Sequence, residues 1–431
     1  MKRINALTVV ALVSILGLAA CDSQPATTSV LSTPASVLPT ATLFPSATWV
    51  PTTEPSPTPT NTSTPTITPQ ATTTPCPTPT PGGPVGQILF SADEWRSGES
   101  YGGSVTPIYL INSDGSGMRQ IYEGRGSISD FQLSPDGTKL AFSDSYYVDI
   151  NEQRYSSGTV YVLDLASGRA WPVAPDGPSQ HTWGLRWVSN EMLVYASGAI
   201  EPADSSSSIY LTDVQGEWHR QLTSRQVGRT SILDIAVSPD GTQLVFAEFV
   251  LDSDVTTMYR ISVDGTGLME LITFPSGMRD VSVAWSPTGD WIVVYAVPIP
   301  ISPVPVYLVE PDGAEMRKIT DLPGRPSLLA WTEDRTGLIF YVCSGILGTN
   351  EIVEVRGDGS VRLLATGEGR IPACSFGSLS PHRRQFAYSP FPLPGLYVMD
   401  VSGGCHYQIL SGYGVRSIRW LPENTFLQEH Q

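Results

Sequence analysis

A short strand-like segment that recurs seven times limits the fold of this chain more than any other feature. Six of the seven copies have Tyr at the second position, and the spacing falls from 52 residues (Tyr109 to Tyr161) to 44 (Val353 to Tyr397). The copies are IYLIN at Ile108, VYVLD at Val160, IYLTD at Ile209, MYRIS at Met258, VYLVE at Val306, IVEVR at Ile352 and LYVMD at Leu396. An apolar segment precedes each copy: ILFS at Ile88, LAFS at Leu140, LVYA at Leu193, LVFA at Leu244, IVVY at Ile292, LIFY at Leu338 and FAYS at Phe386. The pattern predicts seven units, each built from several short strands.

A repeat of about 40 to 50 residues with several strands per copy is typical of β-propeller blades. We therefore predict an all-β, seven-bladed propeller, with six or eight blades as alternatives. The first copy starts at Gln87 with no innermost strand ahead of it, while Ser417 to Pro422 form one more strand-like segment near the C-terminus. We expect that C-terminal strand to complete the first blade, which removes open sheet edges.

A tight turn lies between two strands of several copies. It is written Ser134-Pro135-Asp136-Gly137 and again Ser238-Pro239-Asp240-Gly241. Pro presets the first central turn position, and Gly fits where few other residues do. Together with Asp-Gly hairpins and closing Leu-Thr pairs, this turn resembles the WD40-like repeat of TolB-type propellers over residues 86 to 428. Copies three, six and seven depart from the motif, at Ser189-Asn190, Thr332 to Arg335 and Ser380 to Arg383. The additional α/β domain of TolB-type proteins has no counterpart in the repeat, so the resemblance implies the fold and only weakly a Tol partnership.

The N-terminal region predicts that the protein is located in the cell envelope. Residues 1 to 20 contain Lys2 and Arg3 followed by an apolar stretch, a pattern that predicts a signal peptide. Leu18-Ala19-Ala20-Cys21 resembles the lipobox of bacterial lipoproteins, which implies lipidation of Cys21 and a membrane anchor on the extracytoplasmic side. Residues 21 to 85 then form a disordered stalk by composition, because residues 22 to 85 contain 15 Pro, 19 Thr and only two charged residues. Residues 86 to 431 form the propeller.

Composition and motifs narrow the function further. The formal net charge of −16 argues against a nucleic-acid partner, since phosphate binding needs excess Lys and Arg. The five His are scattered and predict no metal site, and we expect no cofactor. Gly98 to Gly102 spells the G-x-S-x-G motif, but the following residues lead into a strand where a nucleophile elbow needs a helix. No catalytic residue is predicted.

Arginines recur just ahead of the innermost strands. They are Arg125, Arg229, Arg279, Arg325, Arg370 and Arg416. On a closed propeller these segments surround one mouth of the channel, where guanidinium groups suit an anionic ligand. Alternatively, each Arg bridges blades through an acidic partner, since Asp130 and Asp234 follow two of them by five residues. The residues alone leave both interpretations open.

Aromatic residues and cysteines complete the candidate set. We expect Trp95, Tyr101, Tyr146, Tyr147 and Tyr155 in long loops on the same face, where they either contact a ligand or pack on the blades. Propeller geometry predicts a disulfide between Cys343, at the end of one second strand, and Cys374, ahead of the next innermost strand.

From these observations we expect a membrane-anchored, monomeric, non-catalytic propeller that binds a protein or glycan partner. The alternative is a propeller hydrolase or lyase that acts on an extracellular substrate with residues assembled in the channel. Fold alone does not distinguish them.

Overall fold

The computed structural model describes residues 86–94, 105–150, 153–174, 180–199, 207–224, 229–298, 303–343, 350–366, 376–390, 394–401 and 406–422. These residues form seven four-stranded antiparallel sheets, which are the seven blades of a propeller. The all-β fold and the predicted blade count are confirmed. Among the described residues, no helix is long and apolar enough to cross a membrane.

The strands follow the chain blade by blade. Blade 1 contains β1 (Gln87–Glu94), β2 (Ile108–Asn112) and β3 (Arg119–Tyr122). Blade 2 contains β4 (Ser127–Leu133), β5 (Lys139–Ile150), β6 (Gln153–Asp164) and β7 (Ala170–Pro172). Blade 3 contains β8 (Gln180–Ser189), β9 (Met192–Ala199), β10 (Ser207–Asp213) and β11 (His219–Gln221). Blade 4 contains β12 (Thr230–Val237), β13 (Gln243–Val250), β14 (Val255–Ser262) and β15 (Met269–Thr273).

The remaining blades repeat this order. Blade 5 contains β16 (Met278–Trp285), β17 (Ile292–Pro298), β18 (Val304–Val309) and β19 (Met316–Leu322). Blade 6 contains β20 (Arg325–Trp331), β21 (Gly337–Cys343), β22 (Asn350–Arg356) and β23 (Val361–Thr366). Blade 7 contains β24 (Phe376–Leu379), β25 (Gln385–Ser389), β26 (Gly395–Asp400) and β27 (His406–Ser411). The last strand, β28 (Tyr413–Trp420), returns to blade 1.

The ring closes as the sequence predicts. β28 pairs antiparallel with β1, with Ile88 opposite Trp420, and becomes the innermost strand of blade 1. The N–H of Leu421 donates to the carbonyl of Gln87 at 2.8 Å. The two ends of the propeller domain are therefore joined within one sheet, and no blade is left with an incomplete inner edge.

The repeated Tyr has a packing role that explains its position. In five blades it stacks on the aromatic residue directly opposite it on the second strand, with ring centroids 5.4 to 5.8 Å apart. The pairs are Phe90 with Tyr109, Phe142 with Tyr161, Tyr195 with Tyr210, Phe246 with Tyr259 and Tyr388 with Tyr397. Such cross-strand aromatic pairs stabilise a sheet beyond the apolar area they bury. The apolar clusters lie between neighbouring blades.

In five blades the turn that follows the innermost strand keeps one geometry despite its changing sequence. In blade 2 the Oγ of Ser134 donates to Asp136, and the N–H of Gly137 donates to the carbonyl of Ser134 at 2.8 Å. Gly137 has a φ of 71°, in the left-handed region. In blades 6 and 7, Arg335 (φ 61°) and Arg383 (φ 55°) replace this Gly and donate the same backbone bond. In blades 6 and 7 the departures from the motif therefore change the residue and not the turn. In blade 3 the turn itself is different, because only Asn190 and Glu191 lie between β8 and β9.

One predicted loop is wrong. The sequence predicts a long loop around Tyr146, Tyr147 and Tyr155, but β5 and β6 continue as a paired hairpin as far as Ile150 opposite Gln153. The predicted aromatic residues Tyr146, Tyr147 and Tyr155 therefore lie on strands. The extended pairing satisfies backbone groups that a loop of this length would leave to solvent.

Candidate functional site

Two innermost strands place an arginine where blades 4 to 7 have a small residue and blade 2 has Gln132. Arg186 in blade 3 and Arg419 in blade 1 pair with Val194 and Leu89, the second apolar residue of the strand next to them. The same register in blades 4 to 7 holds Ala236, Ala284, Ala330 and Ser378. The channel is therefore asymmetric, with two guanidinium groups on one side and short side chains on the other.

Arg186 forms an ion pair that links three blades. Its Nη2 lies 2.7 Å from Oδ1 of Asp234 in blade 4. The other carboxylate oxygen of Asp234 accepts a hydrogen bond from the N–H of Val283 in blade 5, at 3.1 Å. Burial raises the pKa of Asp234 above its ordinary value, and the charge of Arg186 opposes this shift.

Asp130 is the second carboxylate of the channel. It has a φ of 55°, which is uncommon for a residue other than Gly, and its Oδ2 accepts the N–H of Gly184 from blade 3 at 3.1 Å. Its Oδ1 has no hydrogen-bond partner within the described part of the chain. Burial raises the pKa of Asp130, while Arg186 and Arg419 act in the opposite direction. This carboxyl group therefore combines a raised pKa with an oxygen that accepts no hydrogen bond from the described residues.

Arg419 lies beside Asp130. Its Nε donates to the carbonyl of Phe131 at 3.0 Å, which holds the guanidinium in place. Burial and the neighbouring charge of Arg186 lower the pKa of Arg419, and Asp130 opposes that change. The cationic group is thus held close to other charges and partly removed from water.

A cavity of about 810 Å³ opens at this mouth of the channel. Its charged lining consists of Asp130, Arg325, Arg416 and Arg419. Arg416 donates through Nη1 to Oγ of Ser127 at 3.2 Å and faces Asp93 at 3.4 Å, while its Nε is buried without an acceptor among the described residues. Arg325 is more exposed and lies 3.6 Å from Asp280. Three arginines and one carboxyl group with a raised pKa therefore share one cavity, which we call the arginine mouth.

The other predicted arginines lie elsewhere. The guanidinium of Arg125 stacks over the ring of Tyr146, 3.9 Å from its centroid, and Nη1 donates to the hydroxyl of Tyr161 at 3.1 Å. Arg229 forms an exposed ion pair with Asp252 at 3.0 Å. The structure thus brings Arg325 and Arg416 to the arginine mouth, while Arg125 and Arg229 do not line it. Each of three predicted arginines faces an acidic side chain: Arg229 faces Asp252, Arg325 faces Asp280 and Arg416 faces Asp93. The acidic partners named from the sequence, Asp130 and Asp234, do not face these three arginines.

Several predicted residues lie wholly or partly outside the described residues. Arg279 lies in β16 and Tyr147 and Tyr155 lie in β5 and β6, but only their backbone is described. The residues beyond the description are Cys21, Trp95, Tyr101, Arg370 and Cys374. Cys343 is disulfide-bonded, and its partner lies outside the described residues. Tyr146 is buried beneath Arg125.

Sequence reasoning missed Arg186 and Arg419 as site residues and treated Asp130 and Asp234 only as partners for other arginines. An alignment of the repeats by strand register contains the signal, because a charged residue stands where Ala or Ser is the rule. The sequence obscures this register, because the connection between equivalent positions is one residue shorter in blade 3 than in blade 4 and because β28 pairs with a strand at the other end of the domain.

No described group of three or more His, Cys, Asp or Glu side chains could hold a metal ion. The carboxylates of the channel are separated by arginines, which suit an anionic ligand better than a cation.

Comparison with known proteins supports the fold. No protein-family model and no curated protein sequence matches this chain. An oligogalacturonate lyase solved in complex with manganese is similar to it at 15% identity and a TM-score of 0.51, over 75% of this chain and 84% of the lyase. The periplasmic gluconolactonase of Pseudomonas aeruginosa is similar at 14% identity and a TM-score of 0.51, over 78% of this chain and 99% of the lactonase. TolB from Acinetobacter baumannii aligns at 13% identity with a TM-score of 0.44, over 78% of this chain and 67% of TolB.

These neighbours overturn one expectation. The prediction that the propeller is not an enzyme is wrong, because it took the absence of a linear catalytic motif as evidence. The lyase and the lactonase are enzymes on the same propeller scaffold, and the lactonase is matched over almost its full length. What the likeness itself establishes for this chain is the propeller fold.

Proposed function

We propose that this protein is an extracytoplasmic propeller enzyme, a hydrolase or lyase that binds an anionic substrate in the arginine mouth. One observation carries the proposal. Asp130 has a raised pKa and an oxygen without a partner among the described residues, in the same cavity as three arginines. Titratable groups with shifted pKa values in a cleft are candidates for proton transfer.

The arginines supply the recognition. A guanidinium group binds a carboxylate through two parallel hydrogen bonds, which fixes orientation as well as charge. Arg419 is held in place by the carbonyl of Phe131, and Arg416 by Ser127 and Asp93. A substrate carboxylate held by these two groups would stand beside Asp130.

Asp130 supplies the acid or base. Acid–base catalysis is most efficient when the pKa of the group lies near the working pH, and burial moves Asp130 in that direction from its ordinary value. A carboxylate bound by arginine also makes its α-proton easier to remove, because the guanidinium stabilises the negative charge that develops. The site therefore fits either β-elimination next to a carboxylate or protonation of a leaving group.

The test is turnover by the unlipidated full-length chain (Cys21→Ser) of two classes of anionic substrate, carboxylated oligosaccharides and aldarolactones, which keep a free carboxylate. We expect one class to be turned over and Asp130→Asn to lower kcat by about 10² to 10⁴. The matched control is Asp136→Asn in the first Ser-Pro-Asp-Gly turn, which we expect to change kcat less than about twofold. Equal activity of Asp130→Asn and the unsubstituted chain would remove Asp130 from the mechanism.

The location of the enzyme is part of the proposal. The Leu-Ala-Ala-Cys motif supports lipidation of Cys21 and anchoring outside the cytoplasm. In cells fed a labelled fatty acid, we expect the wild-type chain to carry the label and sediment with membranes, and Cys21→Ser to do neither. Label that persists in Cys21→Ser would disprove the anchor.

A further inference from the structure

A second cavity, of about 540 Å³, lies beside the arginine mouth in the channel. Its lining includes the ion pair of Arg186 and Asp234. Ser127 to Gln132 of β4 line the arginine mouth, and Gln132 is the last of them along the strand. Of the described residues, Gln132 alone lines both cavities. It therefore lies at the inner end of the arginine mouth, where the second cavity begins.

The strand register places Gln132 between the two arginines of the channel. Gln132 pairs with Ala141, the second apolar residue of its neighbouring strand, and this is the register of Arg419 in blade 1 and of Arg186 in blade 3. Blades 1, 2 and 3 follow one another round the ring, because β28 packs on β4 and β4 on β8. One long neutral side chain is therefore flanked by two guanidinium groups that start at the same level of the channel.

The backbone around Gln132 is held by both neighbouring blades. Trp187 of blade 3 donates its Nε1–H to the carbonyl of Gln132 at 2.9 Å. Arg419 of blade 1 donates its Nε–H to the carbonyl of Phe131 at 3.0 Å. Because both contacts fix the strand, the side chain of Gln132 starts from a defined position close to Arg419.

The amide group of Gln132 is not used by the protein itself. Gln132 is half-buried, its amide makes no hydrogen bond to the described residues, and both polar atoms of the amide keep accessible surface. Ionised carboxylates only accept hydrogen bonds and guanidinium groups only donate them, whereas an amide does both. A hydroxyl group also donates and accepts. The amide of Gln132 therefore suits a ligand hydroxyl that lies beside a charged group.

We propose that Gln132 is a specificity-determining residue of the arginine mouth, whose amide binds a hydroxyl group next to the carboxylate that the arginines bind. The substrate class is then a hydroxylated carboxylate and not a carboxylate on a plain hydrocarbon chain. A site that forms a hydrogen bond with a hydroxyl group rejects an analogue without it, because the polar group of the site is left unpaired. The inference rests on the proposed function, since it takes the arginine mouth as the place where the anionic substrate binds.

Two six-carbon dicarboxylates, D-glucarate and adipate, test this inference in the full-length Cys21→Ser chain. They carry the same charges on the same length of chain, and only glucarate has hydroxyl groups. We expect isothermal titration calorimetry to show tighter binding of glucarate. Gln132→Met keeps the length of the side chain and removes the amide, so it should raise the Kd of glucarate by about five- to tenfold and that of adipate less than about twofold.

Two further variants make the result specific to this position. Gln385→Met is the matched control, because Gln385 begins β25 and lines neither cavity, and it should change neither Kd. Gln132→Glu keeps the shape of the side chain but adds a carboxylate that competes with the ligand for Arg419. It should raise the Kd of both dicarboxylates by at least about tenfold. Thermal unfolding of each variant verifies that it is folded.

Equal changes for glucarate and adipate in Gln132→Met, including no change for either, would overturn the role of Gln132 in specificity and leave the proposed function standing. Unchanged affinities in folded Gln132→Glu would also overturn it, because the added charge would then lie away from the bound anion. Failure of the unsubstituted chain to bind either dicarboxylate would overturn this inference together with the anionic substrate of the proposed function. Binding of glucarate that depends on Gln132 would support the inference even in a chain that shows no turnover.

Discussion

The aspartates of the turns and those of the channel are the same residue type in opposite environments. Asp136 and Asp240 lie in exposed turns, where each accepts hydrogen bonds from a Ser hydroxyl and a Thr N–H at 2.5 to 3.1 Å. Those bonds lower their pKa values, with the Ser hydroxyl as the largest cause. Burial instead raises the pKa values of Asp130 and Asp234.

The difference separates structural from functional carboxylates. A turn carboxylate is fully used by local donors, and its charge is stabilised by them and by water. The channel carboxylates are partly removed from water, which destabilises their charged form, and the neighbouring arginines offset part of this desolvation energy. Carboxyl groups with raised pKa values in a cleft are candidates for ligand binding or proton transfer, which favours the channel over the repeated Asp-Gly turns as the candidate site.

The largest expected effect on stability is at the channel ion pair. Arg186→Met leaves the carboxylate of Asp234 half-buried without its cation, and we expect the free energy of unfolding to fall by about 2 to 3 kcal/mol. Urea denaturation measures this loss. Arg229→Met removes the exposed pair with Asp252 and should leave the midpoint unchanged. Equal losses in the two variants would erase the distinction between the regions.

A smaller effect is expected at a turn. Asp240→Ala removes the acceptor for Ser238 and Thr242, which should lower the free energy of unfolding by about 1 kcal/mol. Glu217→Ala is the control, since Glu217 is an exposed acidic residue outside these bonds. If Glu217→Ala lowers the free energy of unfolding by the same amount, then the change in net charge, and not the loss of hydrogen bonds, accounts for the effect.

The left-handed turn position should respond with opposite signs in different blades. Arg335→Gly relieves the strain of a φ of 61° and should stabilise the fold by up to about 1 kcal/mol. Gly241→Ala should destabilise it, because the added Cβ would come 2.8 Å from the carbonyl oxygen of Val188 at a φ of 71°. Thermal unfolding of both variants checks the signs, and a loss of stability in Arg335→Gly would contradict the shared turn geometry.

The sequence predicts the blades well and the site poorly, for a physical reason. The Tyr-containing strands and the Ser-Pro-Asp-Gly turns depend on contacts between residues that are close in the sequence or on adjacent strands. The Tyr stacks on its nearest cross-strand neighbour, and the hydrogen bonds of the turn join residues at most five positions apart. Arg325 and Arg416 were found because their segments resemble one another. Arg186 and Arg419 were missed because their equivalence to Ala236 appears only in the strand register.

The smallest expected effect is the pH dependence of stability, and its sign differs between the regions. The turn aspartates have a lower pKa in the folded chain than in the unfolded chain, so they stabilise the fold when the pH is above the pKa of the unfolded chain. This contribution is lost as the pH falls through the pKa of the folded chain. Raised pKa values in the channel impose a penalty above the folded pKa, and acidification relieves it. Relative to wild type, Asp130→Asn should therefore lose stability from pH 7 towards pH 4, while Asp240→Asn should gain stability over the same range. Denaturation at several pH values measures both slopes, and slopes of the same sign would contradict the comparison.

The central claim is that the carboxyl group of Asp130 is kept protonatable in the channel while the turn aspartates stay ionised. A carboxyl ¹³C NMR titration of Asp130 and Asp136, assigned with Asp130→Asn and Asp136→Asn, tests it directly. We predict that Asp130 titrates above the ordinary Asp value of about 3.9 and Asp136 below it. Titration of Asp130 together with Asp136, below that value, would contradict the account.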